Sequence, residues 1–137
     1  EGRVTEMSMI HCRIVTPHGV YKEVDTSILN IETQDGQRGI LPEHMPIVTM
    51  LRIGKMTTVE SGKRMEYAVT GGLFYFRDNK AEIMVDAIEN KDEIDVERAI
   101  AAKIRAEQRL QSNDKNVDQV RAEIALKKAL NRLNVKG

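Results

Sequence analysis

The chain has 137 residues, 31% of them charged and 41% hydrophobic, and its 21 basic residues balance 21 acidic ones. That length supports one sizeable core with a small appendage rather than two full domains. A neutral balance lacks the concentrated basic face of a nucleic-acid binder. The single cysteine, Cys12, excludes an internal disulfide and fits a small core residue in a strand. No run approaches the ~20 apolar residues of a transmembrane helix and no signal-peptide h-region is seen, so membrane association is expected only through another protein.

Residues 1–8 carry no usable pattern and read as an upstream leader or cloning remnant. Residues 9–90 read as a β domain. Ile10, Cys12 and Ile14 alternate with His11 and Arg13, the pattern of a half-buried strand, and Pro17-His18-Gly19 stops it. The same alternation recurs in Leu29/Ile31, Met65/Tyr67/Val69 and Ala81/Ile83/Val85. Turn signals fall at Gln34-Asp35-Gly36, Ser61-Gly62-Lys63 and Asp78-Asn79-Lys80. Short strands between such turns predict an antiparallel flattened sandwich or barrel. Aromatics make up 4% of the chain, so the core is expected to rest on Ile, Val, Leu and Met. The segment Gly39–Pro46 carries two prolines around Glu43 and His44 and reads as a rigid loop presenting a surface. Nothing here is a catalytic or metal constellation: there are no matched ligands, nucleophile elbow or phosphate loop.

Composition changes near residue 90. Every proline and eight of the nine glycines lie within residues 2–72. The remainder from about 91 to 137 predicts two helices folded into an antiparallel hairpin. Asp92 is the expected N-cap of the first, with Asp95 in its first turn. Ala99, Ala102, Ala106 and Leu110 recur at helical spacing. Ser112-Asn113-Asp114 breaks the helix, and a second runs from about Val117 to Leu133. Its apolar positions are Val117, Val120, Ile124, Leu126, Leu130 and Leu133, with Ala122, Ala125 and Ala129 between them. Alanine favours the helix and close approach but buries little area, so the hairpin is expected to be marginally held. Residues 1–90 hold 10 Lys/Arg against 13 Asp/Glu, whereas 91–137 hold 11 against 8. Arg98, Arg105 and Arg109 share one helical ridge; Arg121, Lys128 and Arg132 share another. Folding about residues 112–115 sets Arg98 level with Lys128, Arg105 with Ala122 and Asp95 with Arg132. The cations then meet near one end, either as a solvated surface trimmed by an Asp95–Arg132 salt bridge or as a cradle for an anion.

Four motifs stand in order: Val15-Thr16-Pro17-His18-Gly19, the Gly39–Pro46 segment Gly-Ile-Leu-Pro-Glu-His-Met-Pro, Thr70-Gly71-Gly72-Leu73-Phe74, and Ile94-Asp95-Val96-Glu97-Arg98-Ala99. With the tail at 121–133 they make the chain resemble, over about residues 9–135, the epsilon subunit of bacterial F-type ATP synthases. The resemblance implies a β-sandwich at 9–90 followed by a regulatory two-helix hairpin at 91–137. It implies a non-catalytic central-stalk subunit, peripheral to the cytoplasmic side of the cell membrane. Its partners would be the gamma subunit, the c-subunit ring and the alpha/beta catalytic head, with Gly39–Pro46 a candidate contact loop. The hairpin would block ATP hydrolysis when extended and release it when folded. In the Bacillus-type, ATP-binding branch the folded form binds ATP as a regulatory ligand. By that likeness Glu89, Ile94, Asp95 and Ala99 would surround adenine and ribose, and Arg98, Arg105 and Arg132 would meet phosphates. Lys128 stands where those members often carry arginine; it lacks the bidentate fork, and one lost charge-assisted hydrogen bond is worth about 1.5–3 kcal/mol. The resemblance leaves magnesium open. The competing reading is a coupling subunit whose hairpin binds no nucleotide. A free-standing RNA-binding module would need a stacking platform, and Phe74, Tyr75 and Phe76 alternate faces.

Overall fold

The structure, a computed structural model, describes residues 8–137. The leader assigned to residues 1–8 therefore lies outside the described residues, except for Ser8. The strands are β1 (Ile10–Thr16), β2 (Gly19–Thr26), β3 (Leu29–Thr33), β4 (Gly36–Ile40), β5 (Ile47–Glu60), β6 (Lys63–Arg77), β7 (Lys80–Val85) and β8 (Ile88–Asn90). A 3-10 turn at Lys91–Glu93 leads to α1 (Val96–Gln111) and α2 (Gln119–Lys136). Hydrogen bonding runs in the order β2-β1-β7-β6-β5-β3-β4, with β8 added to β6, and the sheet folds over a β-sandwich core.

The alternation in the sequence sets the core. Ile10, Cys12, Ile14, Leu29 and Ile83 are wholly buried, while His11 faces out. Burial pushes the Cys12 thiol up to about 12, so it stays a neutral apolar filler. The turns close as their residues require. Ser61 and Gly62, then Asp78 and Asn79, all take positive φ, as a two-residue hairpin turn demands.

Three expectations need correction. The core does not rest on aliphatic residues alone, because Tyr67, Phe74 and Phe76 are among its largest fully buried side chains. Few aromatics suffice when three of the five are fully buried. The sheet is not wholly antiparallel: β1 pairs with β7 in parallel, His11 opposite Lys80 through Val15 opposite Met84. The intervening strands β2 to β6 provide the long crossover that a parallel pair needs. Nor are all strands short, since β5 has 14 residues and β6 has 15. They stay paired in one register from Ile47–Phe76 to Glu60–Lys63, interrupted only at Arg52 and Gly71. Gly71 and Gly72 there take φ of +97° and +151°. A Cβ on Gly72 would lie 1.9 Å from the Met84 backbone oxygen.

Polar groups fasten the sandwich edge. Lys22 Nζ reaches Glu60 Oε1 at 2.9 Å and donates to the Tyr67 hydroxyl at 2.8 Å. Desolvation works against its charge, but Tyr67 and Glu60 outweigh that and raise its pKa. On the outer face His11 Nδ1 lies 3.0 Å from Asp25 Oδ1 and Nε2 lies 2.8 Å from Glu23 Oε1.

Two outcomes follow for the sandwich. Gly72→Ala should destabilise it by about 3 kcal/mol or more in denaturant unfolding, combining strained φ with a backbone clash; a loss under about 1 kcal/mol would contradict the close approach. His11 should titrate above 6.5, because hydrogen bonds to Asp25 and then Glu23 favour its charged form. A folded-state pKa above the unfolded one stabilises fully below the unfolded value and is lost as pH rises through the folded value. His11 and its partners are half exposed, so the effect is small. NMR titration gives the midpoint, and His11→Ala should flatten that stretch of the stability profile.

Candidate functional site

The approach to the hairpin differs from the sequence expectation. Asn90, not Asp92, starts it, forming a capping box with Glu93 over the 3-10 turn. Asp95 then caps α1, its Oδ1 accepting from the Arg98 backbone N–H at 3.1 Å. The cap lies three residues later because Asn90 and Glu93 satisfy the first turn's donors between themselves. Ser112 ends α1, and Asp118 caps α2, which begins at Gln119, two residues after the expected start at about Val117.

Between the helices the contact is built from alanine. Ala99 and Ala106 of α1 and Ala122 and Ala129 of α2 are each 2% exposed or less. Of the larger apolar positions expected on α2, Val120, Ile124 and Leu130 are exposed while Leu126 and Leu133 are half-buried; Ile100 and Ile104 of α1 are also exposed. Only small side chains let two helices close to this distance, so the branched residues are turned outward. With 100° of rotation per residue, Arg98 and Arg105, each preceding a buried alanine on α1, lie on one flank of the hairpin. Because α2 is antiparallel, Arg121 and Lys128, which precede Ala122 and Ala129, lie on the same flank. Among the described residues Arg98, Arg105 and Lys128 make no ion pair.

Opposite that flank stands Glu89, on β8. Its Oε1 is 2.7 Å from Arg132 Nε. This Nε is shut off from solvent yet its N–H is not aimed at the carboxylate, so the contact is a charge pair rather than a directional hydrogen bond. The Asp95–Arg132 salt bridge expected from the fold-back therefore does not form, since Asp95 serves as a cap and Arg132 turns to β8. Glu89, Lys128 and Arg132 line one cleft of about 20 Å³ with Ile53, Val69 and Asn131. Ile94 and Ala99 are 4% and 0% exposed, and Ile94 packs with Ala68 and Val135. Thus Glu89 and Arg132 meet directly, Lys128 lines the same cleft, Arg98 and Arg105 continue the same flank on α1, and Asp95 stands at its start. Sequence reasoning missed Asn131, whose side-chain amide donates to the Gly54 carbonyl at 2.9 Å. The available signal was an asparagine inside an Ala/Leu-rich helix, where it is unfavourable without a partner. Among the described residues no group of three or more His, Cys, Asp or Glu is placed to hold a metal ion.

Comparison with known proteins covers both parts of the chain. The family described as ATP synthase, delta/epsilon chain, beta-sandwich domain matches residues 9–91, and its long alpha-helix domain matches 92–137. The ATP synthase epsilon chain of Desulforamulus reducens is 45% identical over 120 residues, covering 88% of this chain and 91% of its own length. That of Bacillus licheniformis is 40% identical over 129 residues, covering 94% and 98%. Among solved structures, a chain of the Euglena gracilis mitochondrial ATP synthase aligns with a TM-score of 0.80 at 24% identity, covering 93% of this chain and 81% of that one. A chain of the Tetrahymena thermophila mitochondrial ATP synthase central stalk and c-ring gives 0.62 at 18%, covering 95% and 98%. At those identities the two structures speak for the fold.

The alanine contact can be tested alone. Ala129→Leu should push the helices apart at a cost of about 1–3 kcal/mol. Hydrogen exchange should speed up across α1 and α2 while the sandwich amides stay protected; unchanged hairpin protection would mean Ala129 is not the contact point.

Proposed function

The chain belongs to the ATP synthase delta/epsilon family, and within it we propose a central-stalk subunit that regulates ATP hydrolysis through a hairpin that binds ATP when folded. An epsilon chain is a non-catalytic subunit. The observation that carries the reading is the basic flank of the closed hairpin. Among the described residues Arg98, Arg105 and Lys128 stand there without counter-ions, and Arg132 is held at its end by a single carboxylate. Such a row of cations is suited to a chain of phosphates. Asp95 and Glu89 are the acceptors near its two margins. In this reading ATP lies along the open flank rather than within the small cleft, and its phosphates draw Arg132 away from Glu89. A ligand contacted by both helices favours the folded hairpin, shifting population away from the extended, inhibitory form.

The sandwich supplies the docking surfaces. Asn79 braces the 39–46 loop, accepting from the Glu43 backbone N–H at 2.6 Å and donating to the Glu43 carboxylate at 2.7 Å. His44 stacks edge-on against Phe76. The braced loop holds Leu41 and Met45 out, at 55% and 75% exposure, a fitting contact for the c-subunit ring. Cross-strand pairing places Val48 beside Tyr75, Met50 beside Leu73 and Leu73 beside Met84. This exposed apolar strip suits the gamma subunit. No described helix is long and apolar enough to cross a membrane; attachment to the cytoplasmic side of the cell membrane runs through these partners.

Calorimetric titration of the chain decides the nucleotide reading. ATP should bind, ADP more weakly, and Arg98→Ala or Arg98→Ala/Arg132→Ala should abolish detectable binding. No binding up to roughly millimolar ATP, or unchanged affinity in Arg98→Ala, would leave a coupling subunit regulated through protein contacts alone.

A further inference from the structure

The closed hairpin rests on the sandwich through the C-terminal part of α2. Val135 packs with Ile94 and Ala68. Lys136 Nζ donates to the Lys91 carbonyl at 3.2 Å, and Arg132 pairs with Glu89. Between these lies Asn131. Its Nδ2 donates to the Gly54 carbonyl at 2.9 Å and approaches the Val69 carbonyl at 3.5 Å. Gly54 and Val69 are cross-strand partners of β5 and β6, so one side-chain amide from α2 bridges the two longest strands. A Cβ at Gly54 would lie 2.6 Å from the Glu32 carboxylate, so that side of the strand has room only for glycine.

On helix propensity alone, asparagine at this position is a poor choice between Leu130 and Arg132. Asn134, one turn on, is exposed and makes no such bond, whereas Asn131 is half-buried. The entry into α1, at the same end of the hairpin, is anchored by a different contact. Glu93 accepts from the Asn90 backbone N–H at 2.9 Å and from the Tyr21 hydroxyl at 2.7 Å, which keeps the 3-10 turn on the sandwich. The next two residues, Ile94 and Asp95, have extended backbone and belong to neither helix.

We propose that Asn131 is the catch that holds the hairpin closed, and that on its release the hairpin swings about Ile94–Asp95 while residues through Glu93 stay with the sandwich. This rests on the hairpin being mobile, as in the proposed function, but not on nucleotide. The closed state then has a threshold of its own: one neutral hydrogen-bonding group, insensitive to salt and to pH, sets the balance on which any ligand acts.

Distance measurements between spin labels on the full chain test it without ATP. Arg77→Cys and Asn113→Cys carry the labels in a Cys12→Ser background. Asn131→Ala should raise the ratio of open to closed hairpin roughly five-fold. Asn131→Asp, which sets a carboxylate against two carbonyls, should raise it further. Alanine strengthens a helix, so helical circular dichroism should hold and opening cannot be ascribed to a melted α2. Val135→Glu, which breaks the apolar contact, is the control that opens the hairpin by another route. If it opens while both Asn131 variants match the parent, the catch is disproved and the nucleotide reading is untouched. If none of the three opens, the swing itself is disproved, and regulation by hairpin movement goes with it. Loss of helical signal in Asn131→Ala would make the residue structural and also overturn the proposal.

Discussion

The pairing of β5 with β6 is the constraint on which the rest of the structure depends, because the two strands serve both sides of the molecule at once. Inward, Leu51, Met56, Tyr67, Phe74 and Phe76 from these strands fill the sandwich. Outward, Ala68 and the carbonyls of Gly54 and Val69 make the seat for α2. Strands of ordinary length, about five or six residues, could supply only one of these surfaces. Where the pairing is interrupted at Arg52 and Gly71, the glycines are required by their positive φ and, at Gly72, by the Met84 backbone.

The two halves of the chain stand on different energetic footings. The sandwich buries branched and aromatic side chains completely, each contributing about 1.5–3 kcal/mol. Four alanine methyls between the helices contribute roughly 0.8 kcal/mol apiece, about 3 kcal/mol in all. That total is comparable to a few polar contacts of about 1 kcal/mol each. Inside the sandwich, therefore, a single hydrogen bond is a minor correction. At the hairpin it is a sizeable share of the total, which gives the Asn131, Arg132 and Lys136 contacts more weight than their number suggests.

Most of the fold was legible because burial follows the period of each element. The β1 pattern, the hairpin turns at Ser61-Gly62 and Asp78-Asn79, and the two helices could be read from residue types alone. What could not be read were choices settled by tertiary partners. Asp92 and Asp95 are equally good caps in sequence, and the Asn90–Glu93 pairing discriminates between them. The outward turn of Ile100 and Ile104 follows from how near alanine lets α2 come. Within the candidate site, spacing gathered the basic residues onto one flank of the hairpin, but it could not tell which acid Arg132 would meet. Glu89 lies on a strand and is brought there by the sheet, a relation that helical periodicity does not contain.

The parallel pairing of β1 with β7 also bears on how the chain is made. β1 has one neighbour, β2, available at once, but its other edge is completed by residues 80–84, nearly the length of the sandwich later. A ribosome releasing this chain from its N-terminus leaves that edge of β1 bare until β7 has emerged. Pairing of β1 with β7 is therefore a late event of sandwich folding, slowed by the long loop it must close. The hairpin, whose contacts are local and whose seat already exists once β5 and β6 have paired, can settle as soon as its own residues appear. The order of synthesis thus matches the order of dependence, with the platform finished before the element that rests upon it.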